Sequence, residues 1–297
     1  LIAVHDLNNF SKAAERCSVS QPTLSGQLKK LEGELNAPLI ERTTRQVLFT
    51  ALGEQIVALA REVLLTVDSI RATAKANEKP MVGDFHIGLI PTIGPFLLPI
   101  VMPVFSRHFP DAKLYLHELQ TETLLAKLSR GEIDAAILAK VDKPSSLCEI
   151  PLYRETMKLA VCDDDPLSDS QTPVNLSILN NRSVLMLDDG HCLRQQVLVI
   201  CSAVGAHEDS RFQATSLDTL LHMVATGYGL TLIPDLASRR PMQGVSYLPF
   251  NHPQPSREIV MLLREHTVRK SELESIASCV TETVNRAPRR TPRGDRR

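Results

Sequence analysis

Apolar residues in the first 49 positions come in short bursts separated by polar turns, the pattern of closely spaced short helices with few strand signals. From Thr50, a residue suited to capping, Leu52, Ile56, Leu59, Val63, Val67, Ile70 and Ala74 recur at spacings of three and four. That period predicts one helix of about seven turns over residues 50–79, too long and isolated for a domain core and therefore read as a pairing helix. A helix lying on its own domain is the alternative. ANEKPMVG then breaks the stripe with polar residues, Pro80 and Gly83, which mark a linker.

Beyond the linker the pattern alternates. DFHIGLI, KLYLHEL and IDAAILA read as strands separated by the helices GPFLLPIVMPVFSRHF and TETLLAKLSRG, a succession that implies a parallel sheet with crossover helices. From about residue 155 a second set follows: TMKLAVC, SVLMLDD, the helical CLRQQVLVIC, RFQATSLDTLLHMVATGYGLTLIP and VSYLPF. REIVMLL and a last helix from about Ser271 are placed to return to the first set. Residues 80–285 are therefore expected to form two α/β lobes with a cleft between them, where ligands usually bind.

Composition narrows the class. The 297 residues are 43% hydrophobic and 23% charged, as in ordinary soluble globular proteins. No apolar run reaches the eighteen or so residues of a membrane span, and a cytoplasmic location without membrane contact is expected. Six irregularly spaced cysteines do not form a secreted disulfide framework, so free thiols and at most a transient disulfide are expected. The net charge of −1 hides a tail, residues 286–297, with six arginines and one aspartate. It reads as a disordered basic end. The chain opens on Leu1 inside an apolar helical pattern, from which the loss of a turn or two of the opening helix is expected.

FSKAAERCSVSQPTLSGQLKKLEGEL has the order of a helix-turn-helix. Phe10, Ala13 and Ala14 supply a packing face, CSVS the turn, and a second helix starts near Ser20, with Pro22 tolerated in its first turn. Gln21, Thr23, Ser25 and Gln27 present the short hydrogen-bonding side chains that meet base edges, and Lys29 and Lys30 follow for phosphates. ERTTRQVLFT reads as a β-wing with Arg42 and Arg45 reaching outward. The alternative is a helical hairpin with a solvated face. AAERCSVSQPTLSGQLKKLEGELNAPLIERTTRQVLFTALGE resembles the winged helix-turn-helix of the LysR-type transcriptional regulators across the whole of residues 1–49. The resemblance implies promoter DNA as a partner, a linker helix that pairs subunits, and a two-lobed α/β regulatory domain of the periplasmic-binding-protein type.

The chemistry points to GHCLRQQVLVIC. On a helix, Cys192 and Cys201 lie about 13.5 Å apart along the axis and on opposite faces, beyond disulfide reach. A thiol at a helix N-terminus beside His191 and Arg194 has its anion stabilised, whereas Asp188 and Asp189 oppose this. Cys201 sits in an apolar setting. From spacing alone both an inert and a reactive pair remain open. LIPTIGPFLLP, YLHELQT, LDDGHCLRQQ and the two cysteines resemble the hydrogen-peroxide-sensing members of the same family. That resemblance implies a peroxidatic Cys192 and a resolving Cys201, a peroxide pocket lined by Thr92, Thr121 and His191, and Arg264 near the thiol. It also implies a homodimer or homotetramer, RNA polymerase as a partner and a thiol reductant to reset the switch. For both threonines an ordinary helix cap is the alternative, as it is for Thr215 and Ser216 in QATSLDT.

Cys17, Cys148, Cys162 and Cys279 lack partners at a ligand or disulfide spacing, with Cys17 expected in a packed turn. No metal or phosphate-loop motif is present, so neither metal nor cofactor is expected. A family member answering to a small metabolite in the cleft is one rival reading. A thiol peroxidase is another, which leaves residues 1–49 without a purpose; the expectation is therefore a regulator, mainly an activator, and not an enzyme.

Overall fold

The computed structural model describes residues 1–42, 47–76, 81–170 and 172–287. The chain divides into two compact units, Leu1–Lys75 and Ala76–Arg297.

The first unit runs α1 (Ile2–Leu7), α2 (Phe10–Arg16), α3 (Gln21–Glu34), β1 (Ile40–Arg42), β2 (Val47–Phe49) and α4 (Ala51–Ala76). Ala13 and Ala14 of α2 and Leu24 and Leu28 of α3 pack with Val4, Leu39 and Ile40 in one small core. Leu24 and Leu28 are four apart, so they share the inner face of α3 and leave its polar positions outward. β1 and β2 form the antiparallel wing, Ile40 opposite Phe49. Thr50 caps α4 by accepting from the Gly53 amide at 2.9 Å. Gly53 is required there, because a Cβ would collide with the Leu39 carbonyl oxygen. Further along α4, Arg61 pairs with Asp6 of α1, which Arg16 of α2 also reaches at 3.2 Å, so the long helix is tied to the helical module.

The second unit contains β3 (Gly83–Leu89), α5 (Gly94–His108), β4 (Ala112–Glu118), α6 (Thr121–Ser129), β5 (Ala135–Ala139), β6 (Leu147–Cys162) and β7 (Ser183–Leu187). It continues with α7 (Cys192–Val204), β8 (His207–Ala214), α8 (Leu217–Ala225), β9 (Thr231–Pro234), α9 (Asp235–Ser238), β10 (Val245–Pro249), β11 (Ser256–Arg264) and α10 (Lys270–Arg286). α5 survives Pro99 and Pro103, which are four apart and exposed on one face of the helix.

The sheet is mixed, where the alternation of elements predicts a parallel one. Within it β3 pairs in parallel with β4 and β5, and β7 with β8 form a separate parallel pair. β11 returns from the far end of the chain and runs antiparallel to both β5 and β6. β6 is sixteen residues long. Its first part pairs with β11 and its second part, from Met157, with β9 and β10. TMKLAVC is thus the second half of a strand that carries the chain from one half of the unit to the other, not the start of a separate set. The expected return of the last strand and helix is observed: β11 joins the first half, and α10 packs on α5 and β6.

Candidate functional site

Cys192 is the first residue of α7, and Cys201 lies on the same helix with Leu193 and Val197 on its buried stripe. The α-helical run between the thiols holds them about 13.5 Å apart along the axis, and both are free. Cys201 is 2% exposed, and burial pushes its thiol up to about 11. Cys192 is half-buried against the core.

The two ends of α7 are held differently. Gly205 ends it in the left-handed conformation at φ 71°, and the Gly205 and Ala206 amides return to the Cys201 carbonyl, a closure that satisfies carbonyls otherwise left free. At the other end His191 occupies the cap position and supplies no capping hydrogen bond. Its buried ring instead faces Asp188, Nε2 to Oδ1 3.1 Å, in ion-pair range without hydrogen-bonding alignment. Gly190 adopts φ +91°, and a Cβ there would meet Gln120 Oε1 at 2.6 Å. Gln120 is the N-cap residue of α6, so the start of that helix abuts the loop that delivers Cys192. Arg194 clasps Glu208 of β8 with both terminal amines and reaches Asp189 at 3.0 Å and the Leu187 carbonyl at 3.2 Å. Its charge, expected to assist the thiol, is absorbed by two carboxylates.

Thr121 opens α6 as its first residue, and its buried hydroxyl has no hydrogen-bond partner. It is not capping its helix. Thr92 is also buried, and its hydroxyl accepts from Arg257 Nη1 at 3.0 Å while its carbonyl accepts from Arg257 Nη2 at 3.0 Å. Arg257 stands opposite Glu155 in the β11–β6 register and pairs with it, Nε to Oε2 3.0 Å and Nη2 to Oε2 2.9 Å. Both are almost wholly buried. Among the described residues no hydrogen bond joins Thr92, Thr121, His191 and Cys192 to one another.

Arg264, expected near the thiol, has no hydrogen bond or ion pair to Cys192 among the described residues. Its guanidinium donates to the Leu128 and Ile133 carbonyls at 2.9 and 2.6 Å. Leu128 is seven residues along α6 from Thr121, about 10 Å away. Arg264 is therefore committed to the other end of α6, and the arginine that holds Thr92 is Arg257. REIVMLLR contains both, and nothing in their spacing told them apart. Glu155 and Gln120 were missed because each reaches its partner only through strand pairing or the packing of distant segments. Ser216 caps α8 through the Thr219 amide, 3.2 Å, the ordinary role weighed for it. Of the remaining cysteines, Cys17 is exposed at the end of α2 rather than packed in the turn, and Cys162 donates to the Ala225 carbonyl at 3.4 Å.

In the first unit Ser20 caps α3 through the Thr23 amide, and the two hydroxyls lie 2.7 Å apart. Gln21, Pro22, Thr23, Gln27, Lys29 and Lys30 are exposed and Ser25 half-buried. The inventory expected for reading a groove thus stands on the open face of one helix. Arg42 ends β1; its side chain, and the whole of Arg45, fall outside the described residues.

Residues 1–54 match the bacterial regulatory helix-turn-helix family of the LysR type, and residues 79–285 match the LysR substrate binding domain. The chain is 46% identical over 284 residues to a hydrogen peroxide-inducible genes activator of Dickeya chrysanthemi, covering 95% of this chain and 93% of that protein. Among solved structures, it is similar to a full-length OxyR of Pseudomonas aeruginosa carrying a cysteine-to-aspartate substitution, with TM-score 0.77 and 34% identity over 94% of this chain and 91% of the other. An H2O2-bound OxyR cysteine-to-serine mutant of Corynebacterium glutamicum matches with TM-score 0.67 and 32% identity over 96% and 90%. With both family models matched in this order along the chain and relatives covered over nine tenths of their length, this protein belongs to the LysR family of bacterial regulators, in the OxyR branch.

Proposed function

We propose that the chain is a DNA-binding transcriptional regulator, mainly an activator of oxidative-stress genes, that senses hydrogen peroxide through a reversible Cys192–Cys201 disulfide. The observation that carries this is α7 itself: one helix starts on a half-buried thiol and buries a second, protonated thiol nine residues on. The peroxide-inducible relative and the H2O2-bound neighbour supply the oxidant.

The Cys192 thiolate attacks one peroxide oxygen and the O–O bond breaks. The other oxygen takes a proton and leaves as water, and Cys192 is left as a sulfenic acid. Cys201 then attacks that sulfur as the thiolate, the S–O bond breaks, and the hydroxyl leaves with a proton as a second water. Both sulfurs are oxidised and the peroxide is reduced. Thr121 offers a hydroxyl with no competing partner, Thr92 one held by Arg257, and His191 a ring beside the thiol; these groups hold the peroxide and protonate its leaving oxygen. Because disulfide geometry needs Cα atoms within about 7 Å, the helix between the thiols has to open, and the oxidised chain adopts a different arrangement there. One disulfide forms per switch event, and a thiol reductant resets it, so peroxide is consumed stoichiometrically and the protein is not an enzyme.

The output is DNA. Gln21, Thr23, Ser25 and Gln27 face the base edges, and Lys29, Lys30, Arg42 and Arg45 the phosphates. Pairing falls to α4, where Leu59, Val63, Leu64 and Ile70 are each more than half exposed, an unburied stripe on a long helix that a second copy covers. A homodimer or homotetramer acting on promoter DNA with RNA polymerase, in the cytoplasm, is the assembly this implies. No helix among the described residues is long and apolar enough to cross a membrane.

The test is mass spectrometry after alkylation of free thiols, at one equivalent of peroxide, with DNA footprinting of the same samples. A fast Cys192–Cys201 crosslink that vanishes in Cys192→Ser and that changes the footprint is the expected result. If both thiols stay alkylatable while the footprint answers to a metabolite under reducing conditions, the peroxide reading fails.

A further inference from the structure

Two neighbouring side chains of α1 reach the long helix. Glu54 and Arg61 stand seven residues apart on α4, about two turns and 10 Å along one face. His5 lies against the first, Nε2 to Glu54 Oε2 2.9 Å, and Asp6 pairs with the second. The His5 ring also meets Phe49 of β2 edge-on, with the ring centroids 5.0 Å apart. α1 therefore fastens α4 at two levels and touches the wing.

Asp6 divides its carboxylate between two helices. One oxygen accepts from Arg61 of α4, and the other accepts from Arg16 of α2 at 3.2 Å. The Asp6 and Arg61 side chains are only 15% and 14% exposed, so their pair is shielded from the solvent that makes surface ion pairs weak. Burial pushes the Asp6 carboxyl up, but the hydrogen bond and charge of Arg61 outweigh it and hold the group below the usual carboxylate range. α2 in turn packs through Ala13 and Ala14 with Leu24 and Leu28 of α3, the helix that presents Gln21, Thr23 and Gln27. One carboxylate thus connects α4 to the packing partner of the reading helix.

The connection matters because α4 is a lever. It has 26 residues and is about 39 Å long, so a tilt of about 10° at one end displaces the other by about 7 Å. Successive base pairs are about 3.4 Å apart, so that displacement spans about two of them. We propose that Asp6 is a positioning residue for DNA recognition: by fixing the angle between α4 and the α2–α3 pair, it sets the separation of the two half-sites that a dimer reads. Asp6 acts through Arg16 and Arg61 and not on a base. The role rests on the pairing of subunits through α4; the contacts of Asp6 do not.

The test uses a duplex that the wild-type full chain selects from a random DNA pool, remade with its two half-sites moved apart or together in single base-pair steps. Anisotropy titrations at fixed salt, with each half-site also offered alone, compare wild type with Asp6→Asn, Arg61→Gln and Asp6→Glu. Wild type is expected to lose about tenfold in affinity for one base pair of misplacement, and Asp6→Asn and Arg61→Gln about threefold or less. Their affinity for a single half-site stays within about twofold of wild type. Asp6→Glu, which keeps two acceptor oxygens, retains most of the discrimination. An equal fall on single and paired sites means that the change only loosens the fold of the head and overturns the positioning role. Sedimentation of the wild-type chain separates that role from the pairing beneath it. A monomer that selects isolated half-sites overturns pairing through α4 and the role with it. A dimer whose spacing preference is the same in wild type, Asp6→Asn and Arg61→Gln overturns the role alone.

Discussion

The two ends of α7 differ in almost every respect that governs a thiol. At the Cys201 end the helix closes on a left-handed glycine, its carbonyl is twice satisfied, and the side chain sits in the core. At the Cys192 end the cap residue makes no capping bond, the preceding loop rests on Gln120, and the thiol is half-buried. A missing N-cap bond leaves a helix terminus about 1 kcal/mol less stable than a capped one. The contrast separates two tasks. On the peroxide reading the half-buried thiol is the one that meets the oxidant, at an end held by Arg194 rather than by a cap, while the partner thiol stays out of reach until the helix opens. A pair exposed at both ends would be open to any oxidant or thiol reagent, and a pair buried at both ends would react with none.

The largest effect comes from removing the buried member. Cys201→Ser is expected to abolish the intramolecular crosslink completely while Cys192 still reacts, so its sulfenic acid accumulates under peroxide. Trapping with a sulfenic-acid reagent and mass spectrometry reads both outcomes. Rapid crosslinking of Cys192 to another cysteine in that variant would show that burial of Cys201 is not what delays the second step.

Alkali tests the buried end alone. The Cys201 thiol, ordinarily at 9.0, is pushed up to about 11 by burial. The folded chain therefore keeps this proton more tightly than the unfolded one. The resulting stability is complete below pH 9 and is lost as pH rises through 11, about 2–3 kcal/mol in all. Urea midpoints of reduced wild type and Cys201→Ala, compared between pH 8 and pH 11, should differ in slope by that amount. Parallel curves would mean that Cys201 is more hydrated than its 2% exposure implies.

How far the chain disclosed this in advance depended on whether the residues concerned are neighbours in sequence. The outward polar face of α3 was legible because Ser20 to Lys30 lie at its cap and on one helix, where Leu24 and Leu28 fix the inward direction and so the outward one. The period of α4 and the capping role of Thr50 were legible for the same reason. Around Thr92 the reading failed. Arg257 and Arg264 have similar neighbours and lie seven apart on β11, an odd spacing that turns them to opposite faces of the sheet. Which face meets Thr92 depends on the β11 pairing with both β5 and β6, contacts separated by more than a hundred residues. The full length of β6 was hidden because its first half carries Pro151 and pairs across a register irregularity, so no clean alternation marks it.

Arg194 sharpens the comparison from the loose end. It ties the first turn of α7 to Glu208 on β8 and to the Leu187 carbonyl, through a pair that is only partly solvent-exposed. Arg194→Gln leaves Glu208 without its cation, at a cost of about 2 kcal/mol in a partly buried setting. If opening begins at this end, the same change should speed crosslink closure under peroxide while lowering the urea midpoint. A lower midpoint with an unchanged closure rate would place the opening step further along the helix, toward Cys201.

Gly190 gives the smallest effect and the finest division. At φ +91° a residue with a Cβ carries a backbone strain of about 1–2 kcal/mol, and that Cβ would also press on the Gln120 side chain. Gly190→Ala is therefore expected to lower stability by that amount or slightly more and to move the loop that delivers Cys192. Adding Gln120→Ala removes the collision and leaves the backbone strain. Recovery of the crosslinking rate but not of the urea midpoint in the double variant would assign the placement of Cys192 to its contact with α6. Failure to recover either would assign it to the left-handed turn at Gly190 alone, and the start of α6 would then have no part in positioning the thiol.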